Sequence, residues 1–310
     1  MFKSIKAKSR RFWVIFSVVF TYTVLFQMAV SGVLFAAANS VTDKQFATQV
    51  SGAGKSVILI PGLMSDSRVW DELAKYLSNN YQVHKIEIAG FANTPAIAAP
   101  SMADVKTQLL AYIQQNQLQK PAIIGHSLGG FMSFWLSSSA PTKIGPIISV
   151  DDLPFVGPVF TRSNTSTVES LAGQAQQIKN MYSDMTQQQL IDQSRYGLSI
   201  QASSDEGKAK VMSMVQTSDP KKVGEAVYHL MSHDLRTNIA NITSPVLLLG
   251  ASGGFSTDEQ KIAMQTLYAE QLHALPNAQL KMNTSSRHFI MYDDPKWLEE
   301  QVMGFLGAHL

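Results

Sequence analysis

The chain contains no cysteine. That absence excludes disulfides, thiolate metal sites and a cysteine nucleophile together. Charge is also scarce, at 15% of residues, and unevenly placed. Residues 1–38 hold Lys3, Lys6, Lys8, Arg10 and Arg11 and no acid, which leaves 20 basic against 23 acidic residues elsewhere, a net of −3. A mildly acidic globular part has no electrostatic footprint for nucleic acid. No internal repeat and no low-complexity linker interrupts the chain. What is there is apolar: 45% of the 310 residues are hydrophobic, enough for one large core or two small domains and too many for a disordered chain.

Residues 1–38 read as an export segment. The basic stretch is followed by "FWVIFSVVFTYTVLFQMAVSGVLF" (12–35) and then "AAA" (36–38), a small-residue cleavage site. The apolar run is long for a signal peptide and long enough to span a bilayer. Two outcomes stay open: a signal peptide cleaved after Ala38, and a retained inner-membrane anchor. Both place the rest of the chain outside the cytoplasm, periplasmic or secreted, with membrane contact only through this segment.

Beyond residue 44, apolar runs alternate with helical patterns. "SVILIPG" (56–62), "QVHKIEIAG" (82–90), "AIIG" (122–125) and "GPIISVD" (145–151) read as strands. Between them, "SRVWDELAKYLSNN" (67–80) places Trp70, Leu73, Ala74 and Leu77 on one helical face, and Ser101 with Asp104 has capping-box spacing before a helix over 101–115. Residues 153–241 show helical patterns without a clear strand. "SPVLLLG" (244–250) then resumes the alternation, with a helix across about 257–273, a strand over 277–283 and a closing amphipathic helix. The expected organisation is a leader (1–38), a first core part (44–152), a helical cap (153–241) and a second core part (242–310). Strand–helix alternation predicts an α/β fold, a mostly parallel sheet with helices on both faces, whose carboxyl edge binds the ligand under the cap.

Ser127 lies in "GHSLGG" between a predicted strand and a predicted helix, where a nucleophile elbow places its serine. Gly125 and Gly129 remove side chains where backbones crowd. Leu128 opens the helix, so its N–H is aimed at a developing oxyanion. The second oxyanion donor is expected in the loop after the first core strand, from Leu63 in preference to Met64. Ser65 and Asp66 read as helix-capping residues. The seven histidines are His84, His126, His229, His233, His273, His288 and His309. Of these, His288 falls between the last strand and the closing helix, where a loop delivers a general base to the sheet edge. Phe155, Phe160 and the methionines Met181, Met185, Met212, Met214 and Met231 serve equally as an acyl-pocket lining or as helix core.

"PGLMSDSRVWD", "GHSLGG" and "RHFIMYDDPKWLEEQVMGFL", in that order, resemble the α/β-hydrolase superfamily over roughly residues 55–310. The segments "SVDDLPFVG" (149–157) and "SDPKKVGEAVYHLMSHDLRTNIANITSPVLLLG" (218–250) resemble a group of bacterial members with a helical cap. The resemblance implies an α/β-hydrolase fold and serine hydrolysis, most often of small-molecule esters, without a cofactor or metal. It also exposes a departure. The superfamily's acid usually follows "PVLLLG", but this chain reads "ASGGFSTDEQ" there, with Gly253 and Gly254 at the expected place. The other known position is the end of the strand after the nucleophile strand, where Asp151 stands. Asp151 is the preferred acid; Asp152, Asp258 and Asp234 remain alternatives.

Thioesterase, lactonase, amidase and perhydrolase chemistry would use the same residues, and a non-catalytic binding protein or membrane-anchored scaffold is the rival from another class. Two apparent motifs fail. "SGAGKS" (51–56) lacks the first glycine of a P-loop, because position 49 is Gln49. "HLMSHD" (229–234) pairs His229 with His233 and Asp234 but lacks the zincin glutamate, since position 230 is Leu230.

Overall fold

The predicted apolar runs become the centre of a single sheet. The computed structural model describes residues 44–99 and 101–310. The leader expected over 1–38 lies outside the described residues, among which no helix is long and apolar enough to cross a membrane. The strands are β1 (Phe46–Ser51), β2 (Lys55–Ile60), β3 (Tyr81–Ile88), β4 (Ala122–His126), β5 (Ile147–Val150), β6 (Val246–Ala251) and β7 (Gln279–Asn283). They lie in the order β1-β3-β2-β4-β5-β6-β7, and only β1 runs antiparallel to its neighbour. β4, β5 and β6 are buried at every residue, and β2 at all but Lys55. Strands covered on both faces lose the alternation of a half-exposed sheet and read as unbroken Val/Ile/Leu runs.

On and around the sheet lie α1 (Asp71–Leu77), α2 (Met102–Gln115) and α3 (Leu128–Ser139), then an insert between β5 and β6. The insert consists of α4 (Gly157–Thr161), α5 (Val168–Asp184), α6 (Gln187–Tyr196), α7 (Leu198–Gln201), α8 (Asp205–Val215) and α9 (Pro220–Ser232). The chain ends with α10 (Asp258–Gln271), α11 (Ile290–Asp293) and α12 (Pro295–His309). Trp70, Leu73, Ala74 and Leu77 are all buried, as their spacing requires, although Ser67–Trp70 is a 3₁₀ turn leading into α1. Ser101 caps α2 by accepting from the Asp104 N–H at 3.2 Å.

The sequence expectation fails at β1, which it leaves unassigned. "FATQVS" is a polar edge strand with no apolar run, held by pairing to β3. For several insert side chains the structure decides between the two roles left open, pocket lining and helix core. Phe155 and Met231 are fully buried in a small core with Leu171 and Ala175, while Met212 and Met214 belong to the main core. Phe160 is half exposed. His229 and His233 stack with ring centroids 3.6 Å apart and lie against Trp135 of α3, so this pair joins the insert to the core.

The topology fixes where chemistry gathers. After β2 the chain moves to β3 on one side; β4 then returns to the other side of β2. The loops leaving β2 and β4 therefore diverge, and the crevice between them is the usual ligand position in an open parallel sheet.

Candidate active site

Ser127 follows β4 directly and precedes α3. Its backbone has φ 51° and ψ −125°, a sparsely populated conformation that the flanking strand and helix impose. It occupies the N-cap position of α3, yet its side chain makes no capping hydrogen bond, so the hydroxyl is left for another use. Glycine is required on either side. A Cβ on Gly125 would strike the Gly129 carbonyl, and one on Gly129 would strike the carbonyl of Ile60. The Ser127 N–H donates to Val150 O at 2.9 Å, tying the elbow to the end of β5.

The loop after β2 passes over this serine. A Cβ on Gly62 would stand 3.0 Å from Ser127 Cβ and 2.8 Å from His126 Nδ1, so only glycine lets the loop come this close. Ser65 N donates to Gly62 O at 3.2 Å, closing a turn that holds Leu63 and Met64, the latter at φ 55°. Asp66 caps the following 3₁₀ turn, accepting from Arg68 N at 3.1 Å, and Arg68 pairs with it at 2.8 Å. On the other side of the crevice, the N–H groups of Gly130 and Phe131 are already bonded to Ser127 O. The N–H of Leu128 opens the helix, where a developing negative charge is favoured.

His288 lies in the loop between β7 and α11. Asn283 shapes that loop: its Oδ1 accepts from the N–H of Ser285 at 3.1 Å and of Ser286 at 2.8 Å. The ring Nδ1 of His288 lies 2.7 Å from Asp151 Oδ2. Asp151 immediately follows β5 and has φ 56°, a left-handed turn that directs its side chain back across the sheet edge. Its N–H donates to Leu249 O at 2.7 Å, and its Oδ1 accepts from Ala251 N at 2.7 Å and from the Tyr268 hydroxyl at 2.8 Å. Burial disfavours the charged imidazolium, but the hydrogen bond and charge of Asp151 outweigh it and raise the His288 pKa above its ordinary value.

The other acidic candidates are placed elsewhere. Asp152 is buried, with Oδ1 accepting from its neighbour Leu153 N at 2.8 Å, and burial pushes its pKa up to about 7. Asp258 is an exposed residue in the first turn of α10, behind a Thr257–Gln260 capping box. Asp234 is held by Arg236 through its backbone N–H, Nε and Nη2. The expected acid position is filled by close packing: Gly253 N donates to Ser286 O at 2.8 Å, and a Cβ there would strike the Ser285 carbonyl.

The match to known families decides the classification. The family described as "alpha/beta hydrolase fold" matches residues 55–295. The chain belongs to the α/β-hydrolase family. It is similar to the pimeloyl-[acyl-carrier protein] methyl ester esterase of Aliivibrio salmonicida, with 24% identity over 199 residues, 64% of this chain and 74% of that one. Its fold is similar to that of a hydrolase from Pseudomonas aeruginosa, with TM-score 0.68 and 16% identity over 87% of this chain and 99% of that one. An esterase from Exiguobacterium antarcticum is also similar in fold, with TM-score 0.69 and 14% identity over 84% and 95% of the respective chains.

Three supports of this α/β-hydrolase site escape the sequence reading. The first is His126, which is fully buried with Nε2 3.0 Å from His288 O. A carbonyl only accepts, so Nε2 carries the proton, and burial keeps the ring neutral by holding its pKa far below the ordinary value. The second is Tyr268, whose residue type alone gives no hint of its partner. The third is the insert itself. His288 N donates to Ile200 O at 3.3 Å, Phe289 N to Gln201 O at 2.8 Å and Arg287 Nη1 to Ala202 O at 3.0 Å. Asp293 closes this seam: Oδ1 accepts from Ser203 N and Oγ, and Oδ2 from Arg287 N, each at 2.8 Å.

Proposed function

We propose that this protein is a serine hydrolase that cleaves carboxylic esters through Ser127, His288 and Asp151. The observation that carries the reading is the 2.7 Å contact between His288 Nδ1 and Asp151 Oδ2 at the same sheet edge as the strained, uncapped Ser127. The contact assigns the imidazole proton to Nδ1 and leaves Nε2 basic. Ser127 Oγ then attacks the ester carbonyl carbon while Nε2 accepts the hydroxyl proton. The oxyanion is held by the N–H groups of Leu128 and Leu63. Collapse of the tetrahedral intermediate breaks the carbon–alkoxy bond, and the leaving alcohol takes the proton from Nε2. Water, deprotonated by the same nitrogen, releases the acid and restores Ser127.

An ester substrate is favoured by the relative named as a methyl ester esterase and by the structural neighbour named as an esterase. The test is hydrolysis of p-nitrophenyl esters of graded acyl length by the purified protein beside Ser127→Ala. Turnover lost in the variant supports the reading, and equal turnover in both rejects it. Absence of turnover on every ester, with turnover on a thioester or lactone, would retain the centre and change the substrate.

The catalytic part is proposed to work outside the cytoplasm, either released or tethered by its leader. The basic stretch before the apolar run over 12–35 supports this. Fusion of residues 1–44 to a reporter active only outside the cytoplasm tests it, and a silent reporter in intact cells rejects it.

A further inference from the structure

Helix α10 is mostly exposed; of its 14 residues, only Tyr268 and Gln271 are buried. The buried tyrosine reaches across the end of β6. At Gly250 a Cβ would stand 2.5 Å from Met282 Sδ and 2.9 Å from Tyr268 Cδ1, so glycine there makes room for both side chains. The hydroxyl ends 2.8 Å from Asp151 Oδ1. That oxygen also accepts from Ala251 N at 2.7 Å, which leaves Oδ2 facing His288 Nδ1. A carboxylate turns readily about its last torsion, which has no sharp staggered wells. Two donors converging on one oxygen hold its plane where a single donor would let it swing.

We propose that Tyr268 is a positioning residue, which fixes the Asp151 carboxylate with Oδ2 on His288 Nδ1 and so keeps the imidazole in the tautomer and orientation that proton transfer from Ser127 requires. This rests on the proposed reading of Ser127, His288 and Asp151 as the hydrolytic centre. Tyr268 suits the role chemically. Burial and the neighbouring Asp151 push its phenol well above the ordinary range, so it remains a donor wherever the enzyme is folded. Among the described residues its hydroxyl bonds to Asp151, and it acts through that carboxylate.

The test uses the full chain as wild type, Tyr268→Phe, Asp151→Asn, the double variant and Ser127→Ala. Phenylalanine keeps the ring over Gly250 and removes only the hydroxyl. The expected result is a kcat lowered about tenfold with KM changed less than about twofold, because a hydrogen bond to a charged group is lost without touching substrate. In proton NMR, the downfield Nδ1–H signal of His288 should be sharp in wild type and Ser127→Ala but broadened or lost in Tyr268→Phe. In the Asp151→Asn background, Tyr268→Phe should cost nothing further. An unchanged kcat with an unchanged signal overturns the proposal, as does a full additional loss in the Asp151→Asn background. If Tyr268→Phe does not fold, Tyr268→Leu, which also removes the hydroxyl, should reproduce the same signature. Failure of the hydrolytic reading shows separately, as undiminished turnover in Ser127→Ala, and the Nδ1–H signal still decides the role of Tyr268.

Discussion

Asp151 meets His288 from the end of β5, 137 residues earlier in the chain, while β6 donates the N–H of its last residue, Ala251, to the same carboxylate. The proposed acid and nucleophile therefore follow adjacent strands, and the Ser127 N–H is bonded to the residue before Asp151.

Replacing Asp151 by Asn should lower kcat by about 10³–10⁴, because the amide offers Nδ1 a donor where it needs an acceptor and selects the wrong tautomer. The remaining carbonyl oxygen can still accept from Ala251 and Tyr268, so the melting temperature should change little. Asp258→Asn, at an exposed helix start, should leave both unchanged. Steady-state kinetics and thermal melts of the two variants decide between the positions, and activity lost in Asp258→Asn would reverse the assignment.

The acid limb of the pH–rate profile has a defined side. His288 acts as a base only when neutral, and its folded pKa is raised above the ordinary 6.5 despite burial, through Asp151. Activity should therefore already be falling before pH drops to 6.5, and a kcat/KM profile still flat below pH 6.5 would contradict this.

Asp152 makes stability fall as pH rises. Its folded pKa of about 7 lies above the ordinary 3.8, so the folded state binds the extra proton between those values. Unfolding free energy from this group is greatest below its unfolded pKa and declines up to the folded one. Asp152→Asn cannot ionise and keeps an oxygen for Leu153 N. It should melt at a higher temperature than wild type near pH 8 and show a shallower decline from about pH 5. Parallel melting curves at the two pH values would refute the claim.

Asp293 joins the insert to the histidine loop, with Ser203 on one carboxylate oxygen and Arg287 N on the other. Asp293→Ala leaves the half-buried Arg287 N–H unpaired, at a cost of about 1–3 kcal/mol, while the exposed Ser203 donors turn to water. Hydrogen exchange should quicken at Arg287, His288 and Phe289 before it does in β4 or β5, with kcat reduced. Unchanged exchange at those amides would show the seam to be held by its backbone alone.

The central strands are legible in the sequence because burial on both faces writes them as unbroken apolar runs, as in "AIIG" and "VLLLG". β1 is not, because an edge strand is defined by its partner and not by its own residues. Ser127 is legible for a local reason: the two close backbone approaches that require Gly125 and Gly129 lie within two residues of it. His288 is suggested by chain order, and Asp151 becomes the candidate only because glycines stand at the usual acid position. Tyr268 could not be found this way. It lies 117 residues from Asp151 on a helix with little buried surface. The seam at residues 200–203 is hidden for another reason, since carbonyl acceptors leave no mark on side-chain choice.

The paired glycines after β6 carry a consequence for engineering. Gly253 is pressed against the histidine loop, but a side chain on Gly254 would meet nothing within 4 Å. On the proposed reading the carboxylate comes from β5, so Gly254, exposed and ahead of the Thr257 cap, carries no chemistry. It is the place to splice an affinity peptide or fluorescent reporter, giving a tagged hydrolase whose turnover matches the parent's.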